Sequence, residues 1–116
     1  MIDESALRCE VGDQAVTRAQ LEHLLAQRER DDVTIQVLPF RSGGKIVDTA
    51  GFVLPRLATQ DPGLPDVVYM EHLTGALILD KHKEVAPYNE VFLRLTGWSQ
   101  LANASADIIA NTLAET

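Results

Sequence analysis

The residues of this chain that could do chemistry are few and scattered: Cys9, the histidines His23, His72 and His82, and the acidic pair Asp3-Glu4. A metal site announces itself by ligands at short, regular spacing. The three histidines are too dispersed for that, and no CxxC, HExxH or carboxylate cluster accompanies them, so they read as solvated side chains. Nucleophilic catalysis would need a GxSxG elbow or a Cys/His arrangement, and neither is present. Adjacent Asp3 and Glu4 point in different directions with nothing beside them to shift their ionisation, so capping and solvation explain them better than acid–base work. A single cysteine cannot form an intramolecular disulfide, which fits a reducing compartment, and Cys9 reads as a structural, half-buried thiol. No catalytic residue, metal or cofactor is expected.

Two places remain where a ligand or partner could be recognised. The first is Phe40 with Gly43 and Gly44. Ser42-Gly43-Gly44 looks like a phosphate cradle, but a P-loop needs GxxxxGK[ST] opening a helix, whereas Lys45 leads into Ile46-Val47. A turn is the plain reading and a ligand-contacting lid the functional one. The second is Tyr69 with Glu71, two residues apart and so on one face of a strand. A buried Tyr69 hydroxyl requires a partner. An exposed one beside Glu71 makes a recognition spot, with core packing as the competing role.

The elements that must position these residues begin with an amphipathic helix. Thr17 followed by Gln20 spells a capping box, Val16 and Leu21 are placed for a hydrophobic staple, and Leu21, Leu24 and Leu25 form an apolar stripe. The acidic Asp31-Asp32 stops that helix by about Arg30. Alternation over residues 33–38 predicts a half-buried strand ending near Phe40, because Pro39 cannot donate to a ladder. Ile2 reads as the end of a strand whose earlier part is missing, followed by a helical turn capped by Asp3, so the chain is expected to be a fragment of something longer.

Gly12-Asp13 is a turn, and residues 51–54 a short strand whose following Pro55 argues for an edge or a bulge. Residues 67–71 and 76–79 are strands joined by the four-residue loop 72–75. Both are apolar on both sides for part of their length, which places them mid-sheet or against a second layer or second subunit. Val85, Tyr88, Val91, Phe92 and Leu95 stripe a helix over 84–96, with Pro87 tolerated only if it falls in the first turn. Gly97 is the expected left-handed stop, and Ser99 the cap of a last helix carrying Leu101, Ile108, Ile109 and Leu113.

Length bounds the answer: 116 residues make one domain, 1–116, with an ordinary globular composition of 46% hydrophobic and 23% charged residues. A net charge of −7 with scattered basic residues argues against gripping nucleic acid, since phosphates must be neutralised by Lys and Arg. No segment approaches the roughly 20 apolar residues of a membrane span and no signal peptide is visible, so a cytoplasmic location without membrane contact is expected. The fold class expected is α+β: a four- to five-stranded, mainly antiparallel sheet with an N-terminal helix and one or two C-terminal helices packed against it.

Several phrases, in order, carry a resemblance: residues 2–8 (IDESALR), Val11-Gly12, Ala19-Gln20-Leu21-x-His23-Leu24, residues 33–40 (VTIQVLPF), Val68-Tyr69-Met70-Glu71 and Tyr88-x-x-Val91-Phe92-x-x-Leu95. Together, over residues 2–105, the chain resembles the domain that follows an Xre-type helix-turn-helix in antitoxin-like transcriptional regulators of actinomycete type. It departs from the pattern in lacking the helix-turn-helix, in carrying Pro55 and Pro87, and in lacking a Ser-Pro-Glu-Glu helix start at 101–105. The resemblance implies a non-catalytic regulatory domain that dimerises the regulator or senses a signal. It also implies DNA binding through a separate N-terminal reader and a small acidic partner protein from a neighbouring gene. A small-molecule sensor is the alternative, with a pocket between the sheet and the helix at 84–96 near Phe40 and Tyr69. A small enzyme comes third, lacking convergent titratable groups.

Overall fold

The computed structural model describes residues 1–42, 51–55 and 66–116. The chain divides into two compact units, one made of Met1–Lys45 and Leu95–Thr116 and the other of Ile46–Arg94.

The first unit opens with a two-residue strand, β1 (Ile2–Asp3), running straight into helix α1 (Glu4–Arg8). Asp3 ends the strand and caps the helix, its carboxylate accepting from the Ser5 backbone N–H at 2.8 Å. Gly12 then takes a φ of +80°, a left-handed turn that L side chains resist, and points the chain into α2 (Gln14–Gln27). The cap of α2 is Asp13, which accepts from Val16 N–H at 2.9 Å. The helix therefore starts a turn before the expected Thr17. Thr17 N–H already donates to Asp13 C=O within the helix ladder, so Thr17 cannot serve as cap.

Of the strand expected over 33–38, only β2 (Val37–Leu38) forms, pairing parallel with β1 as Ile2 with Val37 and Asp3 with Leu38. A 3-10 turn, Phe40–Ser42, follows. The unit is closed by α4 (Ala102–Glu115), which runs antiparallel to α2: Arg18 of α2 donates to Leu113 C=O, and Arg28 beyond its end reaches Asn103. Leu7, Leu21, Val37 and Ile109 form its core, with Ile2, Leu24, Leu25, Ile35, Ile108 and Leu113 packed around them. The apolar stripe read from the sequence of α2 thus faces α4 and β2. Full burial of each such aliphatic side chain contributes about 1.5–3 kcal/mol before chain entropy is subtracted. Leu101 stands at the N-cap of α4 without a side-chain bond, and the expected cap, Ser99, instead donates back to Leu95 C=O.

The second unit is a hairpin on a helix. β3 (Val68–His72) and β4 (Gly75–Leu79) pair antiparallel through a two-residue turn, tighter than the four-residue loop expected. On the other side of β3, Val53 exchanges two backbone hydrogen bonds with Tyr69, each 2.9 Å. Helix α3 (His82–Trp98) begins early enough that Pro87 lies beyond its first turn. The carbonyl that Pro87 leaves without its helical donor is that of Lys83, an exposed residue. Gly97 is helical, not a left-handed stop. Val68, Met70 and Val85 form the core of this unit, joined by Phe52, Leu54, Leu79 and Tyr88. Phe52 and Tyr88 meet edge to face with centroids 5.2 Å apart.

The class α+β holds, but the four- to five-stranded sheet does not. Among the described residues there are two separate two-stranded sheets, one parallel and one antiparallel, with four α-helices. The reason is visible at Val37. Its outer backbone groups bond to Ser105 and Gln100 rather than to another strand, so no third strand joins the parallel pair on that edge.

Candidate functional site

Phe40 lies in the first unit and Tyr69 and Glu71 in the second; Gly43 and Gly44 lie outside the described residues. Phe40 opens the 3-10 turn. Its backbone N–H donates to Glu4 at 2.9 Å while its ring is 58% exposed. Glu4 also pairs with Arg8 at 3.3 Å, so the acidic pair near the start is occupied in holding α1 and the turn after β2. Cys9 is exposed, not half-buried, because it follows the end of α1, where nothing packs over it.

Tyr69 and Glu71 do come together. The Tyr69 hydroxyl donates to the Glu71 carboxylate at 2.7 Å along one face of β3. That bond, with partial desolvation, raises the Tyr69 phenol above its ordinary value, because ionising it would set two negative charges side by side. The pair lies on the outer face of the hairpin, while Val68 and Met70, on the alternate positions, are buried against Val85.

Across from that pair, β4 presents an unusual edge. Gly75, Ala76, Leu77 and Ile78 are all exposed, Leu77 at 39% and Ile78 at 64%, and the strand carries no charge. The backbone parity is fixed by Tyr69. Because its N–H and C=O both go to Val53, they point away from Ile78, so Ile78 opposite it also points its N–H and C=O away from β3. Ala76, two residues back, does the same. Among the described residues no strand pairs with that edge. The sequence allowed this, since strands apolar on both sides also suit a subunit contact. The missed signal is the uncharged run Gly75–Leu79, which lacks the lysine or proline that usually guards an edge.

The buried polar centre of the first unit was not legible at all. Ser105, 0% exposed on α4, accepts from Val37 N–H at 2.8 Å and donates to Gln100 C=O at 3.2 Å, while Gln100 N–H donates to Val37 C=O at 2.9 Å. These bonds satisfy the outer edge of β2 in the absence of a neighbouring strand.

A recess of about 210 Å³ lies between α1, α2 and α4, lined among others by Arg8, Gln14, Thr17, Thr112 and Glu115. Arg8 donates to Glu115 at 2.6 Å, and this bond, then the one to Glu4, raises its guanidinium further above its ordinary value. Thr112 donates to Ile108 C=O within its helix, but the Thr17 hydroxyl, in a residue 9% exposed, has no hydrogen-bond partner among the described residues.

Among the described residues no group of three His, Cys, Asp or Glu converges as a metal site would require, and no helix is long and apolar enough to cross a membrane. The model of a family described as a domain of unknown function, DUF5753, matches residues 1–111. No curated protein and no solved structure matches.

Proposed function

Starting from the fact that this chain belongs to the DUF5753 family, we propose that it is a non-catalytic interaction domain that dimerises and serves as the regulatory half of an Xre-type helix-turn-helix transcriptional regulator. The observation that carries the interaction role is β4. It is an uncharged strand with exposed Leu77 and Ile78 whose outer backbone groups have no strand beside them among the described residues. An open, apolar edge of this kind is a template for pairing with another chain. The regulator role is supported by the ordered phrases that resemble the domain after an Xre-type reader, and in it the DNA is contacted by that separate reader. A net charge of −7 agrees with leaving phosphate contacts to another segment. A small acidic partner protein from a neighbouring gene is the further partner that the resemblance implies.

The reading is tested by light scattering over a range of concentrations. It predicts a mass rising to twice the 12.7 kDa of one chain. A strict monomer at high concentration overturns the dimer.

One observation favours a second reading, a small-molecule sensor: the recess at Thr17, whose hydroxyl is buried and unpartnered. A ligand offering one acceptor or donor there would satisfy that hydroxyl. In a thermal-shift screen of small polar metabolites, the sensor reading predicts that a stabilising compound loses its effect in Thr17→Val. If no compound raises the melting temperature, this reading falls and the dimer is untouched.

A further inference from the structure

We propose that the edge of β4 left without a strand neighbour among the described residues is the dimer face itself, two copies of this chain pairing β4 with β4 antiparallel about a two-fold axis at Leu77. This rests on the dimerisation proposed above and names its surface.

A second copy fits this edge better than an unrelated strand does, for three reasons. The first is backbone parity. The outward-facing residues are Ala76 and Ile78, one on each side of Leu77. A two-fold at Leu77 sets Ala76 of one copy against Ile78 of the other, and the reverse, so both outward N–H and both outward C=O groups of each strand find partners in two hydrogen-bonded pairs. All five residues of Gly75–Leu79 are then paired.

The second reason is shape. In that register Gly75 faces Leu79 and Ala76 faces Ile78, so away from the axis each large side chain lies against a small one. Ile78, 64% exposed in one chain, is then flanked by Tyr69 of its own β3 and Ala76 of the second copy. Leu77 meets Leu77 on the face that already packs Met70, extending the apolar layer across the axis.

The third reason is charge. The whole chain is at −7, which disfavours self-association, yet the strand has no charged residue. The first charge beyond it, Asp80, falls opposite Thr74 of the second copy rather than opposite another carboxylate. A slip of one residue would turn outward groups against inward ones and lose every bond.

The test uses the full chain. In a Cys9→Ser background, Leu77→Cys places one thiol on the two-fold axis, in a non-hydrogen-bonded pair whose Cα atoms lie about 4.5 Å apart, within disulfide reach. Mild oxidation is expected to give a covalent dimer in high yield, while Leu73→Cys, fully exposed in the turn, gives little. In parallel, Ile78→Lys is expected to weaken the dimer at least about tenfold by light scattering, and Leu93→Lys, equally exposed on α3, to leave it unchanged.

A dimer that persists in Ile78→Lys, or that fails to cross-link through Leu77→Cys, overturns the β4 face while leaving dimerisation standing. A wild-type monomer at every concentration overturns both. Should Ile78→Lys unfold, the cross-link decides, because it leaves the edge backbone and Ile78 unaltered.

Discussion

β2 and β4 are both short strands with one strand neighbour among the described residues, and their other edges differ. At β2 the outer N–H and C=O of Val37 are taken by Ser105 and Gln100, groups that come from the same unit and seal the edge beneath α4. At β4 the outer groups of Ala76 and Ile78 meet no strand among the described residues, and the flanking side chains are aliphatic and exposed. The first unit thus satisfies the outer backbone groups of β2 internally. The second, among the described residues, leaves the outer donors and acceptors of Ala76 and Ile78 without a strand beside them. Ser105 closes one edge, and the proposed pairing of β4 is what would close the other.

The contrast can be broken most forcefully in the sealed unit. Ile109→Ala removes a side chain that is 2% exposed and shared between α4, α2 and β2, and is expected to lower unfolding free energy by about 2–5 kcal/mol in a denaturant titration. A loss below about 1 kcal/mol would mean that α4 is not what holds this unit together. Next comes Ser105→Ala, which leaves the buried Val37 N–H without its acceptor, while the Gln100 C=O keeps its bond from the Gln36 side-chain amide. The expected loss is about 1–3 kcal/mol, with faster amide exchange at Val37 and none of this at Ala76 or Ile78. Unchanged exchange at Val37 would show that the β2 edge is closed by something else.

The smallest effect sharpens the outer face of the hairpin. The bond to Glu71 holds the Tyr69 phenol above its ordinary value. Its contribution to stability is therefore fully present below the unfolded phenol's pKa of about 10 and is lost as pH rises through the raised folded value. Glu71→Gln is expected to move the phenolate absorbance of Tyr69 to lower pH. A titration identical in both proteins would remove the pairing.

Local signals were legible wherever a short-range bond decides the structure. Asp3 caps α1 as its position before Glu4-Ser5 suggests, the Leu21-Leu24-Leu25 stripe is the buried face of α2, and the hairpin strands lie within a residue of where alternation and turn chemistry put them. What failed depended on partners distant in sequence. The capping box at Thr17 is a good local pattern, but Gly12 and Asp13 start the helix a turn earlier and strand the Thr17 hydroxyl inside. The strand over 33–38 shrank to two residues because its partner β1, more than thirty residues earlier, is itself only two residues long, and Val33 N–H is turned back to Arg30 C=O. Of the candidate site, the Tyr69–Glu71 contact was readable from spacing alone. The β4 edge was not, since an apolar strand reads the same whether its neighbour is its own sheet or another molecule.

The opposition between the two strands reduces to how three amides exchange with solvent. Hydrogen exchange followed by NMR across a concentration series should find Val37 protected throughout, and Ala76 and Ile78 protected only as concentration rises and the second copy binds. Ala76 and Ile78 exchanging freely at every concentration, or protected equally at the lowest, would contradict the account.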